Sequence, residues 1–219
     1  MIIHHLNNSR SQRILWMLEE LEIPYTIQRY ERDPKTMLAP DSLKKIHPLG
    51  KSPVITDGDK TLAESGAIID YLAHTYGQKL LPAADSQAYL QYQYWLHYAE
   101  GSLMPYLMLK LVFDTIQSSP MPFFIKPIVK GIAAEVHKTF LGPNLKGNFA
   151  FIEQHLSQHA WFAGETMTPA DIQMSFPLEA GASRIDVSAY PHIRAFLAKI
   201  HSRPAYQKAL EVGGPYTYA

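Results

Sequence analysis

The sequence predicts an α/β half followed by an all-α half, and three observations lead there. Strand and helix patterns alternate over about the first 80 residues. A stretch of proline and small residues, Leu80-Leu81-Pro82-Ala83-Ala84-Asp85, then marks a linker. After it the apolar residues recur only at helical spacing, and no convincing strand pattern remains. The boundaries expected are therefore 1–80, a linker at 81–86, and 87–219. At 219 residues with 47% hydrophobic content, the chain can bury one large core or two smaller ones.

Each element has a local reason. Met1-Ile2-Ile3-His4-His5-Leu6 is a first strand, and Asn7-Asn8-Ser9 leads into a helix over about 10–22 with Ile14, Leu15, Leu18 and Leu21 on one face. Ser9-Arg10-Ser11-Gln12 has the form of a capping box, so Ser9 serves equally well as an N-cap. A strand over about 25–30 and a loop with a short helix at about 36–46 follow. Asp57-Gly58 is a turn signal that joins Val54-Ile55-Thr56 to Lys60-Thr61-Leu62 as a hairpin. Ile68, Ile69, Leu72 and Tyr76 then predict a helix over about 65–76. The order is βαβ-αββα.

Between these elements lies a socket for a small zwitterionic peptide. Pro53 has no N–H and tolerates the cis form, so a Ser52-Pro53 bond before the strand leaves the Ser52 backbone for an extended partner. The first turn of the helix at Ser65 offers free N–H groups to a carboxylate, and Glu64 offers a carboxylate to an ammonium.

The second half begins with a long helix over about 86–113 that carries Tyr89, Tyr92, Leu96, Ala99, Leu103, Tyr106 and Leu107 at spacings of three and four. Pro120, Pro122 and Pro127 break an apolar segment at 117–127, which is either a flap over a pocket or a packed loop or dimer contact. A helix at about 129–158 has a break signal at Gly142-Pro143. Thr168-Pro169-Ala170-Asp171 places a threonine at the N-cap, a proline at the first helical position and an aspartate at the third, opening a buried helix.

Composition removes several function classes. Formal charge is zero and no Lys/Arg cluster stands out, so no nucleic-acid partner is expected. No apolar run is long enough to span a bilayer and no charged leader precedes the first strand, which points to a cytoplasmic protein without a membrane partner. His4 and His5 face opposite sides of a strand, and no metal is expected.

The Pro-Leu-Gly-Lys-Ser-Pro loop, the Glu-Ser-Gly-Ala-Ile helix start, the Asn-Asn-Ser-Arg-Ser-Gln-Arg opening and the Thr-Pro-Ala-Asp box together resemble the cytosolic glutathione S-transferases over essentially the whole chain. The opening is most similar to that of the serine-type fungal and bacterial members. The resemblance implies a thioredoxin-like first domain, an all-helical second domain and a two-fold homodimer. It also implies that Ser52 with Pro53 pairs with the cysteinyl backbone of glutathione, that Lys51 meets its glycyl carboxylate, and that Glu64 and Ser65 hold its γ-glutamyl end. Position 52 is usually aliphatic in the family, and backbone pairing should tolerate Ser52. The electrophile would lie against one side of the long helix, with Leu103, Tyr106 and Lys110 as candidates.

The chemistry implied is thiol activation. With no cysteine in the chain, the reactive sulfur must belong to glutathione, and no tyrosine precedes Tyr25. Ser9 is the candidate donor, with Asn8, Asn7 or a backbone amide as the alternative. A free thiol with a pKa near 8.5 is only about 3% ionised at pH 7, and bringing it to roughly 6.5 needs about 2.7 kcal/mol. A helix N-terminus contributes about 0.3–1 kcal/mol and a hydrogen bond to a charged group about 1.5–3 kcal/mol, so both are required. The function expected is conjugation of glutathione to hydrophobic electrophiles. A glutathione-dependent peroxidase or disulfide reductase would use the same site, and a noncatalytic ligand-binding relative would retain only the fold.

Overall fold

A computed structural model describes residues 1–36 and 38–219. Four strands, β1 (Ile2–Leu6), β2 (Thr26–Tyr30), β3 (Val54–Asp57) and β4 (Lys60–Ala63), form one mixed sheet in the order β2-β1-β3-β4. β1 runs parallel to β2, with Ile3 opposite Ile27, and antiparallel to β3, with Ile3 opposite Ile55. The parallel pair needs a crossover, which α1 (Ser11–Glu20) supplies. The short α2 (Asp41–Lys44) occupies part of the stretch where a helix at about 36–46 was expected, and Met37 lies outside the described residues. α3 (Ser65–Tyr76) completes the thioredoxin-like unit at the predicted bounds.

Helices then follow: α4 (Gln87–Tyr98), α5 (Met104–Ser118), α6 (Lys126–Val136), α7 (Gly142–Gln158), α8 (Pro169–Ala182), α9 (Pro191–His201) and α10 (Pro204–Gly213). The expected long helix at about 86–113 is α4 and α5 joined through a π turn at Ala99–Leu103, and a second π turn at His137–Leu141 joins α6 to α7. Each such turn inserts one residue and rotates the apolar stripe of everything after it. The predicted stripe positions Leu103 and Leu107 nevertheless stay fully buried at the end of the first turn and beyond it, with Met104 added beside them.

α1 is buried from Ser11 to Leu18 around its whole circumference, not along the single face that its periodicity implied. The sheet and α3 cover one side, and α8 and α10 cover the other. Arg13, on the side away from the leucines, is therefore only 2% exposed and must find partners inside the protein.

α8 is buried along nearly its full length and is opened by the predicted capping box. One Asp171 oxygen accepts the Thr168 N–H at 2.7 Å and the Thr168 hydroxyl at 3.1 Å, and the other accepts the Phe162 N–H at 2.8 Å. Burial outweighs these bonds and pushes the Asp171 carboxyl up to about 6. Since this value lies above that of the unfolded chain, the native state holds the extra proton between about pH 4 and 6. Asp171 thus favours folding most at acidic pH, and that contribution is lost as pH rises through about 6. Replacing Asp171 by Asn should lower stability by about 0.5–2 kcal/mol and flatten the pH 4–6 part of a urea-midpoint profile. An unchanged slope would show that the proton is held elsewhere.

Candidate active site

The loop between β1 and α1 is shaped by Asn8. Its φ of 47° lies in the left-handed region, which asparagine tolerates better than most residues, and its side-chain oxygen accepts the Thr217 N–H at 2.9 Å and the Thr217 hydroxyl at 3.2 Å. This turn delivers Ser9 to the mouth of α1. Ser9 is 5% exposed, and its hydroxyl accepts the Ser11 N–H at 3.2 Å and lies 2.8 Å from the Ser11 hydroxyl and 3.5 Å from that of Ser52. Arg10, not Ser9, occupies the N-cap of α1, but the Ser9 hydroxyl satisfies the first helical N–H from one position outside it and faces a cavity at the same time. Gln12 does not close the reciprocal half of the box: its side-chain oxygen lies against Gly213, away from the Ser9 N–H, and its amide nitrogen is buried without a hydrogen-bond partner.

A polar chain backs Ser9. The Ser11 hydroxyl lies 2.9 Å from Nδ1 of His5. Burial, then the nearby Arg29 charge, bring the His5 pKa down to about 4, against a smaller upward pull from a hydrogen bond to the Gly213 carbonyl. His5 is thus neutral at physiological pH. With its Nε2 proton directed at Gly213, Nδ1 accepts from Ser11, and the Ser11 oxygen is left to receive from Ser9. The Ser9 proton, which reaches the Ser11 and Ser52 oxygens, can also turn toward a ligand, while the Ser11 hydroxyl has the Leu6 carbonyl at 3.3 Å as a second acceptor.

The second wall is the loop before β3. Gly50 has a φ of 56°, and a Cβ there would stand 2.7 Å from Cγ of Lys44, so the turn that presents Lys51 requires glycine. The Ser52-Pro53 bond is cis. The Ser52 hydroxyl donates to the His4 carbonyl at 3.0 Å and accepts the Leu6 N–H at 3.3 Å, extending the pairing of β1 beyond the point where proline ends it. That gives the unusual serine at position 52 a structural reason. Ser52→Val should leave one buried donor and one acceptor unpaired and cost about 1–3 kcal/mol in denaturant unfolding. Unchanged stability would mean that water replaces the hydroxyl.

Glu64 and Ser65 form the third wall. Glu64, with φ 70° and ψ 118°, occupies a sparsely populated backbone region that costs of order 1–3 kcal/mol, and it precedes the first residue of α3. The Ser65 hydroxyl accepts from Arg13, whose guanidinium also donates to Glu100 and, at 2.6 Å, to the Gln173 carbonyl. Arg10 holds the same Glu100 carboxylate at 2.9 and 3.0 Å. Burial alone would raise the Glu100 pKa, but the guanidiniums of Arg13 and Arg10 override it and hold the carboxyl below its usual range. Within this cluster two cations face one anion, and Glu64 stands as a second carboxylate at the start of α3. Glu100 has no motif to announce it, and its only trace in the sequence is the buried arginine that needs a counter-charge.

Two cavities meet at Lys51 and Ser52. The smaller, about 240 Å³, is lined by Lys51, Ser52, Pro53, Glu64, Ser65 and Arg10, among others. The larger, about 630 Å³, brings Asn8, Ser9, Lys51 and Ser52 against Met104, Met108, Leu111 and Phe176. Leu103, Tyr106 and Lys110 do not line it. Leu103 is fully buried in the core, Tyr106 packs on Phe140 at 5.8 Å between ring centres, and Lys110 pairs with Asp114 at 2.8 Å. The face that does line the cavity, Met104, Met108 and Leu111, lies on the flank of the buried Leu103–Leu107 stripe. Nor do residues 117–127 line either cavity, and Phe123 and Phe124 in that segment are exposed, so the flap expectation is not supported. No group of three or more histidine, cysteine or carboxylate side chains that could hold a metal occurs among the described residues. No helix among them is long and apolar enough to cross a membrane.

An open polar groove thus lies at the end of the central strands β1 and β3 of a thioredoxin-like sheet, beside a cavity walled by apolar helical residues. Residues 9–75 match the family model for the glutathione S-transferase N-terminal domain, and residues 134–204 match that for the C-terminal domain. Glutathione S-transferase 3 of Schizosaccharomyces pombe is 37% identical over 96% of this chain and 86% of its own length. Glutathione S-transferase 1 of Saccharomyces cerevisiae is 36% identical over 95% of this chain and 93% of its own. A solved glutathione S-transferase from Actinobacillus pleuropneumoniae superposes with a TM-score of 0.83 at 34% identity, covering 99% of this chain and 94% of that one. The chain belongs to the glutathione S-transferase family.

Proposed function

We propose that the protein conjugates glutathione to electrophiles, with Ser9 as the donor that stabilises the thiolate. The observation that carries this reading is the junction of the two cavities. Lys51, Ser52, Pro53, Glu64 and Ser65 line a groove with complementary groups for a zwitterionic peptide, and Ser9 stands where that groove opens into the apolar space. The glycyl carboxylate lies at Lys51, the cysteinyl backbone pairs with Ser52, and the γ-glutamyl carboxylate meets Ser65 and the α3 N-terminus while Glu64 takes the ammonium.

The sulfur then points at Ser9. The Ser9 proton turns from Ser11 to the sulfur, while the opening turn of α1 and the positive Arg10–Arg13–Glu100 cluster favour negative charge nearby. The thiolate attacks an acceptor held against Met104, Met108, Leu111 and Phe176. Asn8 lines the same cavity, and with its carbonyl oxygen accepting from Thr217 its amide N–H2 is the alternative donor to Ser9.

The same reading divides the chain at the linker 81–86 and places a cytoplasmic enzyme in a two-fold homodimer. Calorimetric titration with glutathione and formation of the thioether from an activated chloroarene test it together. Saturable binding with turnover is expected, and the absence of both at millimolar glutathione would refute it.

A further inference from the structure

The larger cavity has a charge imbalance that its apolar floor does not suggest. Arg10, Arg32, Lys51 and Arg184 line it and no aspartate or glutamate does, in a chain whose formal charges cancel. Arg10 is matched by Glu100, and Lys51 also reaches the smaller cavity. Arg184, which follows the end of α8, lines the larger cavity only.

Arg184 is braced but not neutralised. Its guanidinium donates to the Ala180 carbonyl and the Tyr218 hydroxyl, each at 3.4 Å, and its carbon lies 5.5 Å from the centre of the Tyr218 ring, with no carboxylate partner among the described residues. Bonds to neutral oxygens at that length are weak, and a carboxylate would displace them. The brace itself is anchored at the thiol end of the site. Tyr218 adjoins Thr217, which is bonded to Asn8, and the Tyr218 ring packs edge-on against Phe176 at 5.6 Å.

We propose that this cavity selects electrophiles that carry a carboxylate on an apolar body, with Arg184 meeting the anion. The inference rests on the conjugation reading above and narrows its hydrophobic electrophile to an anionic amphipath. Met104, Met108, Leu111 and Phe176 hold the apolar body, and a planar guanidinium suits a carboxylate's two oxygens. In the reaction with a chloroarene, the glutathione sulfur forms the new bond to the ring carbon and chloride departs with the electron pair of the broken C–Cl bond. The acceptor's carboxylate is unchanged.

The test compares 4-chloro-3,5-dinitrobenzoate with its primary carboxamide, each kcat/KM being divided by the uncatalysed rate constant with glutathione. The wild type should favour the carboxylate by about tenfold, as expected for one charge-assisted hydrogen-bonded pair, and the preference should shrink as salt is added. Arg184→Gln should lower the carboxylate value about tenfold more than the carboxamide value, and Arg184→Lys should restore part of the difference. Equal normalised values in the wild type would overturn the proposal, as would a preference that survives in Arg184→Gln, while leaving conjugation intact. Turnover of neither acceptor would defeat the conjugation reading itself. Should Arg184→Gln fail to fold, the wild-type ratio and its salt dependence decide alone.

Discussion

Ser9→Ala should conjugate glutathione about 3–25-fold more slowly than the wild type at pH 7, where a thiol moved from roughly 6.5 to about 7.5–8.5 loses most of its ionised fraction, with glutathione affinity changed far less. The magnitude follows from one hydrogen bond to a charged group, worth about 1.5–3 kcal/mol, which the thiolate loses when the hydroxyl is removed. On the pH scale this is a rise of about 1–2 units in the thiol pKa, so the variant should recover toward wild-type rates as pH is raised past 8. The polar chain behind Ser9 sharpens the expectation. Since His5 is neutral down to about pH 4, it does not act as a titrating base, and the wild-type profile should show no inflection between pH 5 and 7 from this histidine. Initial rates against pH for both proteins are the check. Parallel profiles would mean that Ser9 only satisfies the first N–H of α1.

Glu100→Gln should be the most damaging single substitution to stability near the site. Arg13 is buried, and its only carboxylate partner among the described residues is Glu100, so the variant leaves a guanidinium charge uncompensated. Breaking a buried pair from one side costs about 3–5 kcal/mol, and the remaining exposure of Glu100 places the expectation at the lower end of that range. The loss is read as a lower urea midpoint. Because the native pKa of Glu100 is held below that of the unfolded chain, its contribution is present above the ordinary carboxylate range and is lost as pH falls through it. The difference between wild type and Glu100→Gln should therefore close at acidic pH. Removing the charge of Arg13 as well, in an Arg13→Met, Glu100→Gln pair, should recover part of the loss. If the single variant is as stable as the wild type, Arg13 is compensated by the Gln173 carbonyl and Ser65 alone.

Local chemistry made much of the first half legible. The turn at Asp57-Gly58, the proline at 53, the helix start at Glu64-Ser65 and the Thr168–Asp171 box each place their element within a residue or two of where it stands. These signals act over a few residues and need no partner from elsewhere. What depended on distant contacts was not legible. Arg13 and Glu100 are 87 positions apart, and nothing in the spacing of either announces the other. The cavity wall was misread because Met104, Met108 and Leu111 flank the buried Leu103–Leu107 stripe, and nothing in an apolar residue distinguishes a pocket wall from core. Tyr218 and Thr217 reach the site from beyond α10, where sequence gives no reason to expect a bond to Asn8.

The claim on which the rest depends is that bound glutathione is ionised beside Ser9. Ultraviolet thiolate absorbance of the glutathione complex, titrated against pH for the wild type and Ser9→Ala, reads this without an acceptor. The wild-type complex should titrate roughly 2 units below free glutathione, and the variant should move back by about 1–2 of those units. Identical curves for the two proteins, or a bound thiol that titrates like the free one, would contradict it.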